Sequence, residues 1–516
     1  MTDPFILTGR WVIESADQIH ENAGVLIKEG HVVEIGAKDD LRRRYEGVQE
    51  FGGSDFAVLP GFVNAHHHCY GVELSNQAVA DDFLEPWMFA GFGMSAITQR
   101  LSTLYSAVRL LKSGVTSVVD MCSAGPNRDA AVTAVSEKAD AYRQAGIRAA
   151  IAPGERWQNR MIHADGEDLP FFDSLPGELQ ARVLLVQARR KRLSPEDYVS
   201  VMSWLAKEFA RDELISVWFG PTAPQWTPEH VMRDIVEEAE RSDTRIQTHV
   251  LESYYESLES PRSRSKRVLP FLNDIGLLSE RTSMAHMVWA DPRDFDLIAN
   301  SGAQISCNPS SNLRLRSGIA PAASYRDAGI PVAIGMDGTT LADDEDMFAE
   351  MRLALNLNRP PHPKGVALTI KDVFSMATSG GAVLLGRRND LGQLTPGFRA
   401  DAVLVDTKRM TTPWIDPDAD PLTLLLTRAR RDDVRHVFVD GRQALKDGRV
   451  LNVDEGSLHE EIADALLASK SKTEERSLCR DLRPYLLDWY SRWDDAVTQN
   501  NEPVYAYGRD LSDLPF

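Results

Sequence analysis

The stretch Pro60-Gly61-Phe62-Val63-Asn64-Ala65-His66-His67-His68 closes an apolar run that begins at Phe56. The run reads as a β-strand, and on a strand alternate side chains share one face. His66 and His68 therefore point to the same side and can bind one metal ion, while His67 points elsewhere. A His-x-His pair by itself is a weak metal signal. Whether other apolar strands end in further ligands decides its weight.

Seven more strand candidates follow, over 115–121, 148–153, 215–220, 245–250, 282–287, 303–307 and 331–335. Helical periodicity fills the spaces between them, as in 130–145 and 228–241. Eight βα units over some 330 residues predict an α/β fold, a parallel (β/α)8 TIM-type barrel. The active site of such a barrel lies at the C-terminal ends of its strands. The chain ends have a different texture. Residues 24–36 form a hairpin with a Glu29-Gly30 turn, 391–406 read as strand, turn, strand, and 434–450 form another hairpin. These features predict a small β-sandwich domain assembled from both termini. The expected division is 1–58 and 388–455 for the sandwich, 59–387 for the barrel, and 456–516 for a helical extension and tail that covers a barrel face, joins a subunit interface or simply lies on the surface.

Composition narrows the function. The formal net charge of the 516 residues is -19, which argues against a nucleic-acid partner or an anionic membrane surface. A small neutral or cationic substrate fits better. Hydrophobic residues make up 43% and charged residues 26%, the range of soluble globular proteins. No run of about 18 apolar residues predicts a membrane span. The N-terminus lacks a basic and apolar leader pattern. The four cysteines are far apart and form no CxxC, so free thiols in a reducing cytoplasm are expected.

Chemistry-bearing residues recur where the predicted strands end. After His66 and His68 come Gln247-Thr248-His249-Val250-Leu251-Glu252, then Met284-Ala285-His286, then Ile334-Gly335-Met336-Asp337-Gly338. Taken singly, a buried histidine is ordinarily a hydrogen-bonded structural residue, and an Asp before Gly is a turn. Together, at the mouth of one barrel, three imidazoles and a carboxylate suit a divalent ion, Zn²⁺ first and Fe²⁺ as the alternative, with positions open for water and substrate. A bound ion of this kind makes hydroxide available near pH 7 for attack on an sp² carbon. Glu252, three residues past His249, is placed to shuttle the proton to a leaving amine. His286 is expected to contact the attacking water or to donate to developing negative charge. Asp337 is a candidate both for binding the metal and for accepting a proton.

The motifs 60–68, 248–252, 285–286, 308–320 (opening Asn308-Pro309-Ser310-Ser311-Asn312), 335–338, 346–352 and 394–401 together resemble the amidohydrolase superfamily. The likeness is to the triazine-hydrolase and aminohydrolase branch, with its chlorohydrolases and guanine, 8-oxoguanine and S-adenosylhomocysteine deaminases. The resemblance implies one metal held by His66, His68, His249 and Asp337, with Glu252 as proton shuttle and His286 on water or substrate. Binuclear relatives use a modified lysine on the fourth strand, and 215–224 contains no lysine. The H-x-E and P-C-x-x-C pattern of cytidine deaminases is absent. Two positions depart from the family pattern: Thr222 stands where many relatives carry histidine, and Gly71 where several carry glutamine. Guanine, 8-oxoguanine or adenosine-type specificity therefore does not transfer on resemblance alone.

Around this site, 81–93 is a candidate lid with Trp87 near the substrate. Trp157 and Trp226 are candidates for stacking a planar substrate, with core packing as the alternative for all three. Glu85 and Glu155 are expected at the solvated surface, and Cys69, Cys122 and Cys307 as packing residues. The reading is a metal-dependent hydrolase that deaminates an amino-substituted nitrogen heterocycle. Amide, urea or carbamate hydrolysis and halide displacement use the same attack. A silent binding scaffold is the reading from another class, and homo-oligomers are common among the relatives.

Overall fold

The computed structural model describes residues 3–95, 97–188, 191–338, 344–360, 363–469 and 472–494. Four strands open the chain: β1 Phe5–Ile13, β2 Ile19–Lys28, β3 His31–Ala37 and β4 Gln49–Pro60. The β2–β3 hairpin turns on Glu29 and Gly30, at φ of 53° and 77°. Two successive left-handed residues are what a two-residue turn between right-twisted strands demands.

The chain then passes through Gly61 into β5 Phe62–His68. A side chain at Gly61 would run into Thr116, so only glycine lets this junction approach the next strand. The parallel strands β6 Val115–Ser123, β7 Arg148–Gly154 and β8 Ile215–Val217 follow and lie side by side with β5. A second parallel sheet holds β9 Ile246–Val250, β10 Thr282–His286, β11 Gln304–Cys307 and β12 Val332–Ile334. The short β13, Asp337–Gly338, follows and pairs with β5. The residues of β5, β7, β9, β10, β11 and β12 are all buried, as expected of parallel strands covered on both faces. The two sheets meet at a parallel bridge between Phe219 and Ile246. They meet again where the Met336 N–H donates to the His66 carbonyl at 3.2 Å.

The fourth strand of this series is shorter than the 215–220 run in the sequence. Trp218 and Phe219 still donate their N–H groups to the Ile151 and Arg245 carbonyls, but Pro221 has no N–H to continue a ladder. Helices separate these strands. Arg128–Ala145 is typical, with Asn127 accepting from Ala130 N–H at its start and Gly146 left-handed at its end.

Late strands return to the N-terminal ones: β14 Ala402–Asp406, β15 Val434–Val439, β16 Arg442–Lys446 and β17 Arg449–Val450. Both chain ends thus share one eight-stranded sheet in the order β17-β16-β15-β14-β4-β1-β2-β3. Residues 391–397, read as a strand in the sequence, form none. Leu394 N–H goes to the Glu14 carbonyl, and the chain turns at Pro396-Gly397.

The chain continues into helices Glu455–Ala468 and Thr473–Asp494. On the last, Leu478, Leu482, Leu486, Tyr490 and Trp493 recur at helical spacing. They pack with Phe89, Met161, Ile162 and Phe171. The tail motif 503–508 lies outside the described residues.

The terminal sheet and the parallel strands are joined by a buried ion pair. Arg148 of β7 donates to Asp401 through Nη1 at 2.5 Å and through Nη2 at 3.3 Å, with both side chains buried. Asp401 also accepts from the Asp440 N–H at 2.9 Å. Removing one member leaves a charge buried and unpaired, which costs about 3–5 kcal/mol. Asp401→Ala is expected to lose stability of that order in chemical denaturation, whereas Lys371→Ala, which breaks an exposed pair with Asp17, changes it by less than about 1 kcal/mol.

Candidate metal centre

Residues from β5, β9, β10 and β13 converge at one end of the parallel strands. His66 and His68 share a face of β5, as alternation requires, and His67 is turned the other way. There its Nε2 meets Ser106 Oγ at 2.6 Å and Glu345 Oε1 at 3.1 Å. Burial alone would lower the His67 pKa, but contacts with Cys69 and Glu345 hold it at about 10.

On the inner face, His68 Nε2 and His249 Nε2 are 3.1 Å apart. Asp337 Oδ1 is 3.4 Å from His68 Nε2 and 3.6 Å from His66 Nε2. The ligand atoms of His66, His68 and His249 lie within 4.8 Å of one another, and so do those of His66, His286 and Asp337. His286 Nε2 is 3.5 Å from Glu252 Oε2 and 4.0 Å from Asp337 Oδ2. His286 and Asp337 adopt left-handed φ values of 75° and 61°, rare for residues with side chains and concentrated in proteins at functional sites.

The other ring nitrogens determine the tautomers. His66 Nδ1 faces Gln247 Oε1 at 3.0 Å, His68 Nδ1 the Met121 carbonyl at 2.8 Å, and His249 Nδ1 the Thr222 carbonyl at 2.6 Å. His286 Nδ1 faces Asn312 Oδ1 at 2.8 Å. All four partners are oxygen acceptors, so each Nδ1 carries a proton and each Nε2 is turned inward. Gln247 is oriented in turn by donating to the Ala65 carbonyl and Ser283 Oγ, both at 2.8 Å.

Burial, reinforced by the neighbouring imidazole of His66, pushes the His68 and His249 pKa values down to about 3. Burial lowers that of His286 to about 4. These three rings are neutral at pH 7. Burial alone would raise the pKa of Asp337, but His66, His286 and His68 hold it well below the usual carboxylate range. Its Oδ2 also accepts a bond from the Ser311 hydroxyl.

Lone pairs and an ionised carboxylate therefore converge in a buried space, and His66 Nε2 and His286 Nε2 have no hydrogen-bond partner there. The Nε2-to-Nε2 approach of His68 and His249 has no proton to share. A divalent cation suits this donor set of nitrogens and carboxylate oxygen.

The amidohydrolase family model matches residues 57–444. The chain belongs to the amidohydrolase family. A 5-methylthioadenosine/S-adenosylhomocysteine deaminase of Haloarcula marismortui is 30% identical over 467 residues, covering 89% of this chain and 96% of that protein. A 5'-deoxyadenosine deaminase of Methanopyrus kandleri is 28% identical over 465 residues, covering 88% of this chain and 97% of that protein. Among solved structures, an adenosine deaminase from Xanthomonas campestris with bound zinc aligns at a TM-score of 0.76 and 24% identity, covering 89% of this chain and 97% of its own. A triazine hydrolase variant aligns at 0.77 and 22%, covering 90% and 100%. These two share the fold.

In this amidohydrolase, Glu252 sits beside His286. Burial raises its pKa well above the usual carboxylate value, and Glu256, Asp337 and Glu85 add to the shift. Glu252 Oε1 has no hydrogen-bond partner. Trp87 packs with Leu84, Met88 and Leu315, and its indole N–H is unpartnered.

The other two tryptophans are engaged in packing. Trp157 donates to the Leu193 carbonyl at 3.0 Å and meets the Tyr198 ring edge-on. Trp226 is buried, with the Arg156 guanidinium 4.1 Å from its ring centroid.

Glu85 and Glu155 are not solvated surface groups. Glu85 is buried against Ser253 and His163, and Glu155 faces Arg192 at 3.2 Å. Cys69 and Cys307 are buried and Cys122 is partly so. Cys69 also lies 3.2 Å from the Tyr142 hydroxyl.

Gln247 escaped the sequence reading, although its spacing of two from His249 placed it on the same strand face. Removing a group that orients a metal-binding histidine costs about 10- to 100-fold in metal affinity. Gln247→Ala is expected to show that loss in a competitive chelator titration. A second expectation concerns pH. Since folding raises the Glu252 pKa, its contribution to stability is present below the unfolded value of about 4.5 and is lost as pH rises through the folded value. In chelator, the Tm advantage of Glu252→Gln over the wild type should grow as pH climbs from about 4.5 towards the folded value and level off above it, measured by thermal melts at a series of pH values.

Proposed function

We propose that this amidohydrolase is a metal-dependent deaminase that removes an exocyclic amine from a nitrogen heterocycle. The aminopurine nucleosides named for its relatives are the first candidates. The observation that carries the reading is the convergence of His66, His68, His249 and Asp337, with Glu252 and His286 alongside. In this reading those four residues hold one divalent ion, Zn²⁺ before Fe²⁺.

Such an ion supplies Lewis acidity that brings water into the neutral pH range as a nucleophile. Asp337, ionised and held by Ser311, accepts a hydrogen bond from the attacking water. His286 Nε2, beside Glu252 and Asp337, contacts the attacking water or the substrate. Glu252 takes a proton from the water and returns it to the departing nitrogen. Its raised proton affinity suits a group that takes up a proton and later gives it back. The water oxygen bonds to the ring carbon, its second proton passes by way of Asp337 to the ring nitrogen, the exocyclic C–N bond breaks, ammonia leaves, and the ring gains a carbonyl. Trp87 on helix Leu84–Ala90 is the proposed lid contact to the substrate.

The proposal includes the architecture. The Phe219–Ile246 bridge and the Met336–His66 hydrogen bond support closure of the two parallel sheets into one (β/α)8 barrel over 59–387. The sheet of both termini is then a sandwich-like satellite over 1–58 and 388–455, with 456–516 as the extension. A cytoplasmic homo-oligomer completes the reading. The exposed Leu184 and Leu185 on helix Gly177–Ala188 offer apolar surface for self-association.

Purified protein is expected to carry about one zinc or iron per chain by elemental analysis and to release ammonia from 5'-deoxyadenosine or S-adenosylhomocysteine. Glu252→Gln should cut turnover by roughly 100-fold or more while the metal stays bound. A metal-free active enzyme, or full turnover by the variant, would overturn the mechanism. Silence on every amino-heterocycle with activity on an amide or urea would redirect it to that bond.

A further inference from the structure

Glu252 is held by partners that come from distant parts of the chain. Its N–H donates to Glu256 Oε2 at 2.7 Å, and the other oxygen of Glu256 accepts from Gln225 Nε2 at 2.7 Å. Ser253 accepts from the Glu256 N–H at 3.2 Å as the cap of helix Tyr254–Arg264. The Ser253 hydroxyl donates to Glu85 Oε1 at 2.5 Å, and the same oxygen faces His163 Nε2 at 3.3 Å. The His163 N–H donates to the Tyr490 hydroxyl at 3.0 Å. A second route closes the network: Asn159 Nδ2 donates to the His163 carbonyl at 2.9 Å and to the Gln225 carbonyl at 2.8 Å. Every one of these residues is buried.

We infer that Glu256 is a positioning residue for Glu252 and that Tyr490, on the C-terminal helix Thr473–Asp494, anchors the network that holds it. The inference rests on the reading of Glu252 as the acid/base. A carboxyl group buried beside Glu252 and Glu85 costs stability unless it is fully bonded, and Glu256 uses both oxygens. The backbone at Glu252 follows Leu251, whose φ is 53°, so the strand itself does not hold the residue in a relaxed geometry. The hydrogen bond from Glu252 to Glu256 fixes where the carboxyl group begins. The C-terminal helix matters because its apolar face packs against Phe89 and Ile162. It therefore clamps helix Leu84–Ala90, which carries Glu85 and Trp87, and the 155–165 loop, which carries His163. A displacement of about 1 Å at a reacting group can cost 10²-fold in rate.

The test uses the full chain with its metal and 5'-deoxyadenosine as substrate. Glu256→Ala should lower kcat roughly 10- to 100-fold with KM and metal content unchanged. Glu256→Gln, which keeps an acceptor for the Glu252 N–H, should restore most of that loss. Tyr490→Phe should lower kcat about 3- to 10-fold, the worth of one hydrogen bond, and the Glu256→Ala/Tyr490→Phe pair should fall short of the product of the single effects. Independently of any substrate, Tyr490→Phe should speed amide hydrogen exchange in the peptide containing Glu252 and Ser253. Wild-type kcat in Glu256→Ala, no rescue by Gln, a multiplicative double variant or unchanged exchange would each overturn the inference. Full turnover by Glu252→Gln would instead defeat the acid/base reading on which it rests. If Glu256→Ala does not fold, Glu256→Gln and the exchange measurement on Tyr490→Phe decide.

Discussion

Buried lone pairs facing one another are the constraint around which this molecule is arranged. His66, His68 and His249 have their Nδ1 protons committed to oxygen acceptors, so each turns its Nε2 inward, and those of the neutral His68 and His249 are bare acceptors. Asp337 adds an ionised carboxylate among them. In low dielectric such a set repels itself and has lost its water, and a shared cation relieves both costs. The supporting groups serve that arrangement. Gln247, the Met121 carbonyl and the Thr222 carbonyl each fix one ring, while Ser311 and Asn312 fix Asp337 and His286.

On the far side of β5, the His67–Glu345 contact and the Arg109–Glu345 ion pair at 2.7 Å hold the strand from behind. Nearby, Lys138 and Asp120 form a fully buried pair at 2.8 Å, joined by the Tyr142 hydroxyl. Buried pairs of this kind contribute little net stability compared with apolar packing. They are directional, however, and direction is what a metal site needs from its supporting strands. The surroundings of Glu252 show the same economy of geometry over stability. Three carboxyl groups, Glu85, Glu252 and Glu256, are buried near one another, with both Glu256 oxygens and Glu85 Oε1 hydrogen-bonded and Glu252 Oε1 without a partner.

The legible part of the fold was the strand pattern. β6, β7, β9, β10, β11 and β12 fall within two residues of the apolar runs that predicted them, because strands buried on both faces are mostly apolar, whereas the run from Phe56 divides at Gly61 between the end of β4 and β5. The 391–397 run was misleading: Leu391 and Leu394 are buried, but they pack from an irregular segment, and apolar content alone cannot separate the two. Trp157 and Trp226 illustrate the same limit. An aromatic after a strand end is as well suited to packing as to stacking a substrate, and what each ring packs against, Tyr198 and Arg156, is set only in three dimensions. Glu85 was assigned to solvent because isolated carboxylates are rarely buried, and its partners Ser253 and His163 are distant in the chain.

The sequence by itself determined the chemistry: alternation put His66 and His68 on one strand face, and the motifs around His249, Glu252, His286 and Asp337 placed the remaining groups at strand ends. Those are local properties, set by the period of a strand and the place where it stops. Tertiary structure decided the rest. Which nitrogen of each imidazole faces inward depends on acceptors brought from other strands. The raised proton affinity of Glu252 depends on burial among Glu256, Asp337 and Glu85. The attachment of the C-terminal helix to that residue depends on contacts spanning more than two hundred positions. No local pattern encodes them, because hydrogen bonding and desolvation act through space and not along the chain.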